Sequence, residues 1–348
     1  MGASAAAQTR EFALPGPGPK NSLTDVAGLS VGCAHDAHVM TGVTVIVADQ
    51  PAVAAVEVLG GGPGVRETDV LKPGNLVETV NAIALSGGSV YGLAAADGVA
   101  TALGARGVGF GLVQAQGVPL SPIVPAAILY DLANGGDKSW GEDPPYRGLG
   151  MEAVRMLSDH VSLGNAGAGY GARAGALKGG QGSASYVTED GVTVGALACV
   201  NAFGSTTIPN SRAFWAWPFE IGGEYGAVAP PQRAVALDDW GGTKAAPQPR
   251  ANTTLAVIAT DAAFTQSEMK RIAQMASAGF ARAIRPVFAP FDGDVLFALS
   301  TAQREAPGPR PLSVARIGAL AADCVARAVA RGVYEAETLG TARAWRDA

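Results

Sequence analysis

Asn252 and Thr253 are the residues whose types and placement carry the most chemistry in this chain. They lie between a Gly- and Pro-rich stretch, residues 241–249, and a short apolar run, residues 255–259, with the composition of a buried strand. A hydroxyl at such a boundary is held rigidly by the strand, while the chain before it can move away. That is the layout an N-terminal nucleophile needs. Thr253 attacks the carbonyl of Asn252, the peptide bond becomes an ester, and water opens it. The released Thr253 then carries a hydroxyl and an α-amine that can serve as its base. The reference pKa of such an amine, about 7.7–8.0, is already near working pH. The same dipeptide also reads as a pair of turn residues at a strand start. The stretch alone leaves that commoner reading open.

Other chemistries have weaker footing. The three histidines are His35, His38 and His160. His35 and His38 could ligate a metal, but their spacing lacks a helical context and no third ligand is evident. The run Gly87-Gly88-Ser89-Val90-Tyr91 fails the nucleophile-elbow pattern at its final position. A hydrolase this poor in histidine needs another base, which favours an α-amine. Glycines 87 and 88 before a helix could bind an anion, but with no P-loop lysine following, close packing is the better reason for them.

The rest of the chain must position these groups. Its 348 residues suffice for one large domain or two small ones, with 48% hydrophobic residues, 47 glycines and 16% charged residues. That composition predicts a tightly packed interior with close backbone approaches. A net charge of −5 argues against nucleic acid or an anionic membrane as partner. Cys33, Cys199 and Cys324 are far apart and form no disulfide framework, as expected in a reducing cytoplasm. Residues 1–20 read as a loose tail without the features of a signal peptide, and no apolar run reaches the length of a transmembrane helix.

Residues 21–32 hold a first strand. Residues 41–48 and 52–59 read as two strands paired across a turn at Asp49-Gln50-Pro51. Gly60-Gly61-Gly62-Pro63-Gly64 must be a loop where backbone approaches something closely. A helix follows over 90–105, and 108–113 reads as a further strand. Residues 165–182 are Gly- and Ala-rich, and 192–200 form a strand ending at Asn201. Residues 208–249 read as loop and meander. Thr265 to Glu268 has capping-box spacing and opens a helix. A strand at 295–300 follows Asp292-Gly293-Asp294, and a last amphipathic helix spans 316–331. Mixed strands and helices of this kind predict a layered α/β protein with sheets inside.

Taken in order, these pieces resemble one family. The matching segments are NSLTDVAGLSVG at 21–32, GGGPGVRETDVLKPGNLVE at 60–78, LSGGSVYGLAAAD at 85–97, residues 124–132, Lys178-Gly179-Gly180, Val200-Asn201-Ala202, Asn252-Thr253-Thr254 and FDGDVLFALST at 291–301. Together they resemble the self-processing L-aminopeptidase/D-Ala-esterase/amidase family, which includes β-aminopeptidases and nylon-oligomer (6-aminohexanoate-oligomer) endohydrolases. The resemblance covers nearly all of the chain after residue 20.

The resemblance implies a four-layer αββα sandwich of N-terminal-nucleophile-hydrolase type. It would be a single domain cut into an α chain, 21–252 after the tail, and a β chain, 253–348. By match, Thr253 is the nucleophile; many peptidase members carry Ser there, and Thr is similar to the nylon-hydrolase branch. Asn201 and Tyr130 match the residues that hold the oxyanion, a job suited to an amide and a phenol. Asp292 and Asp294 match an acidic pair that orients the Thr253 amine or holds a substrate ammonium, and alternation would put both on one side. The lysine of the nylon-hydrolase branch is missing, since Ala176 stands at its place; Lys178, two residues on, begins the KGG of the peptidase branch and would either support Thr253 electrostatically or cap a loop. The implied enzyme needs no metal or organic cofactor, assembles as a homotetramer of αβ units, and acts on short amides with a free amine. Two other readings remain: an acyltransferase of ornithine-acetyltransferase type, and a non-catalytic binding homologue.

Overall fold

The computed structural model describes residues 14–113, 115–233, 235–244 and 252–348. Most of the expected N-terminal tail, and residues 245–251 just ahead of the expected cut, lie outside the described residues. The strands in chain order are β1 (Leu29–Asp36), β2 (Thr41–Val58), β3 (Val65–Arg66), β4 (Thr79–Ser86), β5 (Ala126–Ile128), β6 (Arg173–Ala174), β7 (Leu177–Lys178), β8 (Gly180–Val187), β9 (Thr193–Asn201), β10 (Thr253–Ala262) and β11 (Val295–Arg304). The helices are α1 (Ala95–Gly104), α2 (Tyr146–Arg155), α3 (Gln266–Ala276), α4 (Ala278–Ala283) and α5 (Arg310–Tyr334).

Hydrogen bonding runs in the order β3-β5-β4-β2-β11-β10-β9-β8, with β1 also on β2. Side-chain alternation sorts this order into layers. On β10, Leu255, Val257 and Ala259 face a core shared with Ile46, Ile83 and Leu85 from β2 and β4. Ala256 and Ile258 face the other way, onto residues of α3, α4 and α5. On the first half of β2, Val43, Val45 and Val47 pack against α1 and α2. The result is helix, sheet, sheet, helix, the four-layer arrangement expected.

Where two paired strands were expected at 41–59 there is one strand. β2 runs straight through Asp49, Gln50 and Pro51, which are exposed, and its pairing with β4 slips between Val47 and Ala52. The slip makes room for Pro51, which has no N–H to give a ladder. Ile46, Ala48, Ala52, Ala54 and Val56 all stay on the interlayer core. β2 therefore wraps around that core and serves both layers, pairing with β1 and β4 first and β11 afterwards.

Three other expectations shift. The first strand begins only at Leu29, after a short 3-10 turn at Leu23–Asp25. Residues 108–113 are loop, touching residue Ser121 through one bridge at Phe110, with Leu112 and Val113 exposed; no core is there to cover a strand. The capping box is present as expected, with Glu268 N–H donating to Thr265 Oγ1 and Thr265 N–H to Glu268 Oε2, but α3 stops at Ala276 and α4 carries Phe280. Among the described residues no helix is long and apolar enough to cross a membrane.

Candidate active site

Thr253 opens β10 on the same face as Leu255, looking into the end of the interlayer core. Directly opposite stands Asn201, the last residue of β9. Paired residues on antiparallel strands share a face, so the two side chains are neighbours. Asn252 is fixed by a parallel bridge to Asp292. Its carbonyl oxygen accepts the main-chain N–H of Gly293 at 2.8 Å and also the Thr253 hydroxyl. A hydroxyl and the carbonyl it would attack are thus in contact, and an N–H already points at the oxygen where negative charge would form. Both residues are buried, Asn252 at 0% and Thr253 at 2% exposure.

The segment Asp292-Gly293-Asp294 forms one wall. Asp294 accepts the Thr254 N–H at 2.6 Å and the Phe288 N–H at 3.2 Å, so it grips the backbone beside Thr253. Asp292 Oδ2 accepts the Ala289 N–H at 3.1 Å, while its buried Oδ1 has no hydrogen-bond partner among the described residues. Burial, and then repulsion from Asp292, push the Asp294 carboxyl up to about 7. Burial likewise raises Asp292, against the pull of main-chain N–H groups and Lys244. The Gly60–Gly64 loop, flagged in the sequence for close approach, buttresses this wall. Gly62 N–H donates to Asp292 O at 2.8 Å and Leu59 N–H to Asp294 O at 2.9 Å. A Cβ on Gly60 would lie 2.2 Å from Asp292 O.

Asn201 is the hub of the opposite wall. Its Oδ1 receives the Arg173 N–H at 2.9 Å, Asn134 Nδ2 at 3.3 Å and Lys244 Nζ at 3.3 Å. Three converging donors identify that atom as the oxygen and so set the amide's orientation. Nδ2 then donates to the main-chain oxygen of Tyr130 at 2.9 Å. Tyr130 thus meets Asn201 through its carbonyl, and its phenol makes no hydrogen bond among the described residues. The neighbouring Asp131 is fully buried, and accepts the Thr41 hydroxyl at 2.6 Å and the Gly88 N–H at 2.8 Å. The anion at the Gly87-Gly88 turn is therefore the chain's own carboxylate, which burial raises above its usual range.

A sequence model of peptidase family S58 matches residues 21–345. The chain belongs to peptidase family S58. An uncharacterized aminopeptidase of Mycobacterium tuberculosis is 41% identical over 347 residues, 94% of this chain and 97% of that protein. A 6-aminohexanoate-oligomer endohydrolase of Agromyces sp. is 29% identical over 322 residues, 88% of this chain and 84% of its own. Among solved structures, the L-aminopeptidase D-Ala-esterase/amidase of Ochrobactrum anthropi, a variant of the Ntn-hydrolase fold, aligns with a TM-score of 0.67 at 22% identity, covering 94% and 90% of the two chains. That last likeness is one of fold. Family membership makes the chain a hydrolase and accounts for the αββα layering.

Against this S58 background the two buried lysines are informative. Lys178 is 1% exposed, and its ammonium is held by the carbonyls of Gly179 at 2.6 Å and Gly169 at 3.2 Å. Among the described residues no hydrogen bond joins it to Thr253 or Asn201. Burial brings it down to about 7, offset by the attraction of Asp131. Lys244 was not singled out from the sequence, yet it is the lysine that touches the site. Its Nζ lies 3.1 Å from Asn201 O and 3.3 Å from Asn201 Oδ1. The residue is half-buried, and burial brings its ammonium down to about 7. Its loop packs on the Gly-Ala-rich segment: Ala176 N–H donates to Gly242 O at 2.8 Å. Ala176 is the position where the resemblance had led us to look for a lysine.

The histidines stand apart. His35 stacks on Tyr170 with ring centres 4.2 Å apart, His38 lies 3.3 Å from Asp137 at the surface, and His160 is exposed. Among the described residues no three His, Cys, Asp or Glu side chains are grouped to hold a metal.

Gly293 is the other residue the sequence reading passed over. A Cβ there would lie 2.5 Å from Thr253 Oγ1 and 3.0 Å from Gly62 O. The wall behind it cannot retreat, so the Thr253 side chain would have to rotate away. Gly293→Ala is expected to fold with nearly unchanged melting but to convert precursor to two chains about 100-fold more slowly, the scale of a nucleophile displaced by about 1 Å. A time course on denaturing gels checks this. Processing at the wild-type rate would mean that the contact does not set the hydroxyl's position.

Proposed function

We propose that this S58 hydrolase is made as a precursor, cuts itself between Asn252 and Thr253, and then uses Thr253 as an N-terminal nucleophile on short amides that carry a free amine. The observation that supports this most is the shared carbonyl of Asn252, which accepts both the Thr253 hydroxyl and the Gly293 N–H. In the first step Thr253 Oγ bonds to the Asn252 carbonyl carbon, and the C–N bond breaks. The hydroxyl proton ends on the departing nitrogen, leaving an ester. Water then adds to the ester, frees the Asn252 carboxylate and restores the hydroxyl beside a new α-amine.

In turnover that amine takes the hydroxyl proton as Oγ attacks the substrate carbonyl, then delivers it to the leaving amine. Water releases the acyl group by the same route in reverse. Asn201, paired across from Thr253, is the side-chain amide we assign to the developing oxyanion. The acidic wall suits a substrate ammonium, because the buried Asp292 Oδ1 lacks a hydrogen-bond partner among the described residues. The names of two relatives, an uncharacterized aminopeptidase and a 6-aminohexanoate-oligomer endohydrolase, both denote action on amides of amine-bearing acyl units.

Purified enzyme should run as two unequal bands, residues 1–252 and 253–348, with the smaller starting Thr-Thr-Leu-Ala. It should hydrolyse amino-acid p-nitroanilides or aminohexanoate oligomers and fail on their N-acetylated forms. An active enzyme that remains one intact chain would refute the mechanism.

A further inference from the structure

We propose that Lys244 is the positioning cation of this active site: its ammonium holds the Asn201 amide across from Thr253 and favours the charged forms of the acidic pair Asp292/Asp294. The proposal rests on the N-terminal-nucleophile reading above.

The geometry has two parts. First, Lys244 Nζ donates to both oxygens of Asn201, main chain and side chain. Asn201 is the residue opposite Thr253, and a cation on its Oδ1 fixes the amide's orientation, with Nδ2 turned to the Tyr130 carbonyl. Second, the charges of Asp292 and Asp294 act on Lys244, and its own charge acts on theirs. The Arg173 guanidinium is the further charge acting on the ammonium, and it repels it. A site that asks two buried carboxylates to be charged needs a compensating cation close by. Lys178 is committed elsewhere, to the carbonyls of Gly169 and Gly179.

The loop is placed to do this reliably. Lys244 N–H donates to Phe203 O at 3.1 Å, two residues beyond Asn201, so backbone and side chain grip the same segment. These anchors are made to the α chain's own strand end and do not pass through the Asn252–Thr253 bond. They therefore survive the cut, and the cation serves turnover as well as processing.

The test compares Lys244→Met, Lys244→Arg and Thr253→Ala for processing, for kcat and KM, and for the pH profile of kcat on an amino-acid p-nitroanilide. Removing a nearby cation raises carboxylate pKa values, so the acidic limb of Lys244→Met should move to higher pH by about one unit. Its kcat should fall by about ten-fold or more at pH 7, with KM changing less. Lys244→Arg should restore the limb and much of the rate, because it keeps the charge and the donors. Lys244→Met with wild-type kcat and limb would overturn the proposal. So would equal damage by Met and Arg with an unmoved limb, which is the mark of packing alone. Should Lys244→Met yield no processed enzyme, the pH profile of processing by Lys244→Arg decides: a limb unlike wild type overturns the role. Turnover by Thr253→Ala would instead sink the underlying nucleophile reading, whatever the lysine variants do.

Discussion

Replacing Thr253 by Ala is expected to leave the chain in one piece and to abolish turnover. Alanine has no oxygen to place against the Asn252 carbonyl, so the bond is never converted to an ester and no N-terminal amine appears. Even in a chain cut by other means, loss of the nucleophile should cost on the order of 10⁶-fold in kcat, the scale seen when such a residue is removed from a hydrolase. Thr253→Ser keeps the hydroxyl and, once cut, the amine. It loses the methyl that restricts χ1, so both activities should fall without vanishing. Electrophoresis and a burst assay for acyl-enzyme read both outcomes. Wild-type hydrolysis by Thr253→Ala would place the nucleophile elsewhere.

Asn201→Ala should be the second most damaging change. On the mechanism proposed above it removes an oxyanion donor, a loss of about 2.7–4 kcal/mol in the transition state, or roughly 100- to 1,000-fold in kcat. It also strips the shared acceptor from Asn134, Arg173 and Lys244. Leaving buried donors without that acceptor costs about 1–3 kcal/mol of stability. The variant should therefore melt earlier as well as react slowly, which a rate effect alone would not do. Any protein that still processes should show a slow burst, in contrast to the absent burst of Thr253→Ala. A rate within a few-fold of wild type would exclude Asn201 from the oxyanion site.

The centre of this site was legible because its signal is local. A polar dipeptide ahead of Leu255-Ala256-Val257-Ile258 marks a loop-to-strand boundary in any context, and β10 begins at Thr253. Gly60–Gly64 announced a close approach, although only the structure says to what: Asp292 and Pro290 backbone. What failed to show in the sequence depends on distant chain. Asp49-Gln50-Pro51 has the composition of a turn, and only pairing to β1, β4 and β11 makes β2 one strand. Lys244 sits in a stretch without periodicity, where nothing local distinguishes an active-site cation from a solvated one. The contact of the Tyr130 carbonyl with the Asn201 amide is likewise one that no side-chain motif announces.

The position of β10 between β9 and β11 has a consequence for how the molecule holds together over time. β9 lies upstream of Asn252 and β10 downstream, so their ladder from Thr253↔Asn201 to Thr260↔Val194 joins the two products of a cut. The β11–β2 ladder does the same on the other side, and α5 packs across β8 and β9. A nick here would leave these ladders in place but turn reassembly from a one-body into a two-body event. The uncut chain folds with its halves tethered; the cut one, once unfolded, must find its partner at whatever dilution prevails. Persistence of such a processed form would be set by its rate of unfolding, with the precursor as a single-use template for the assembly.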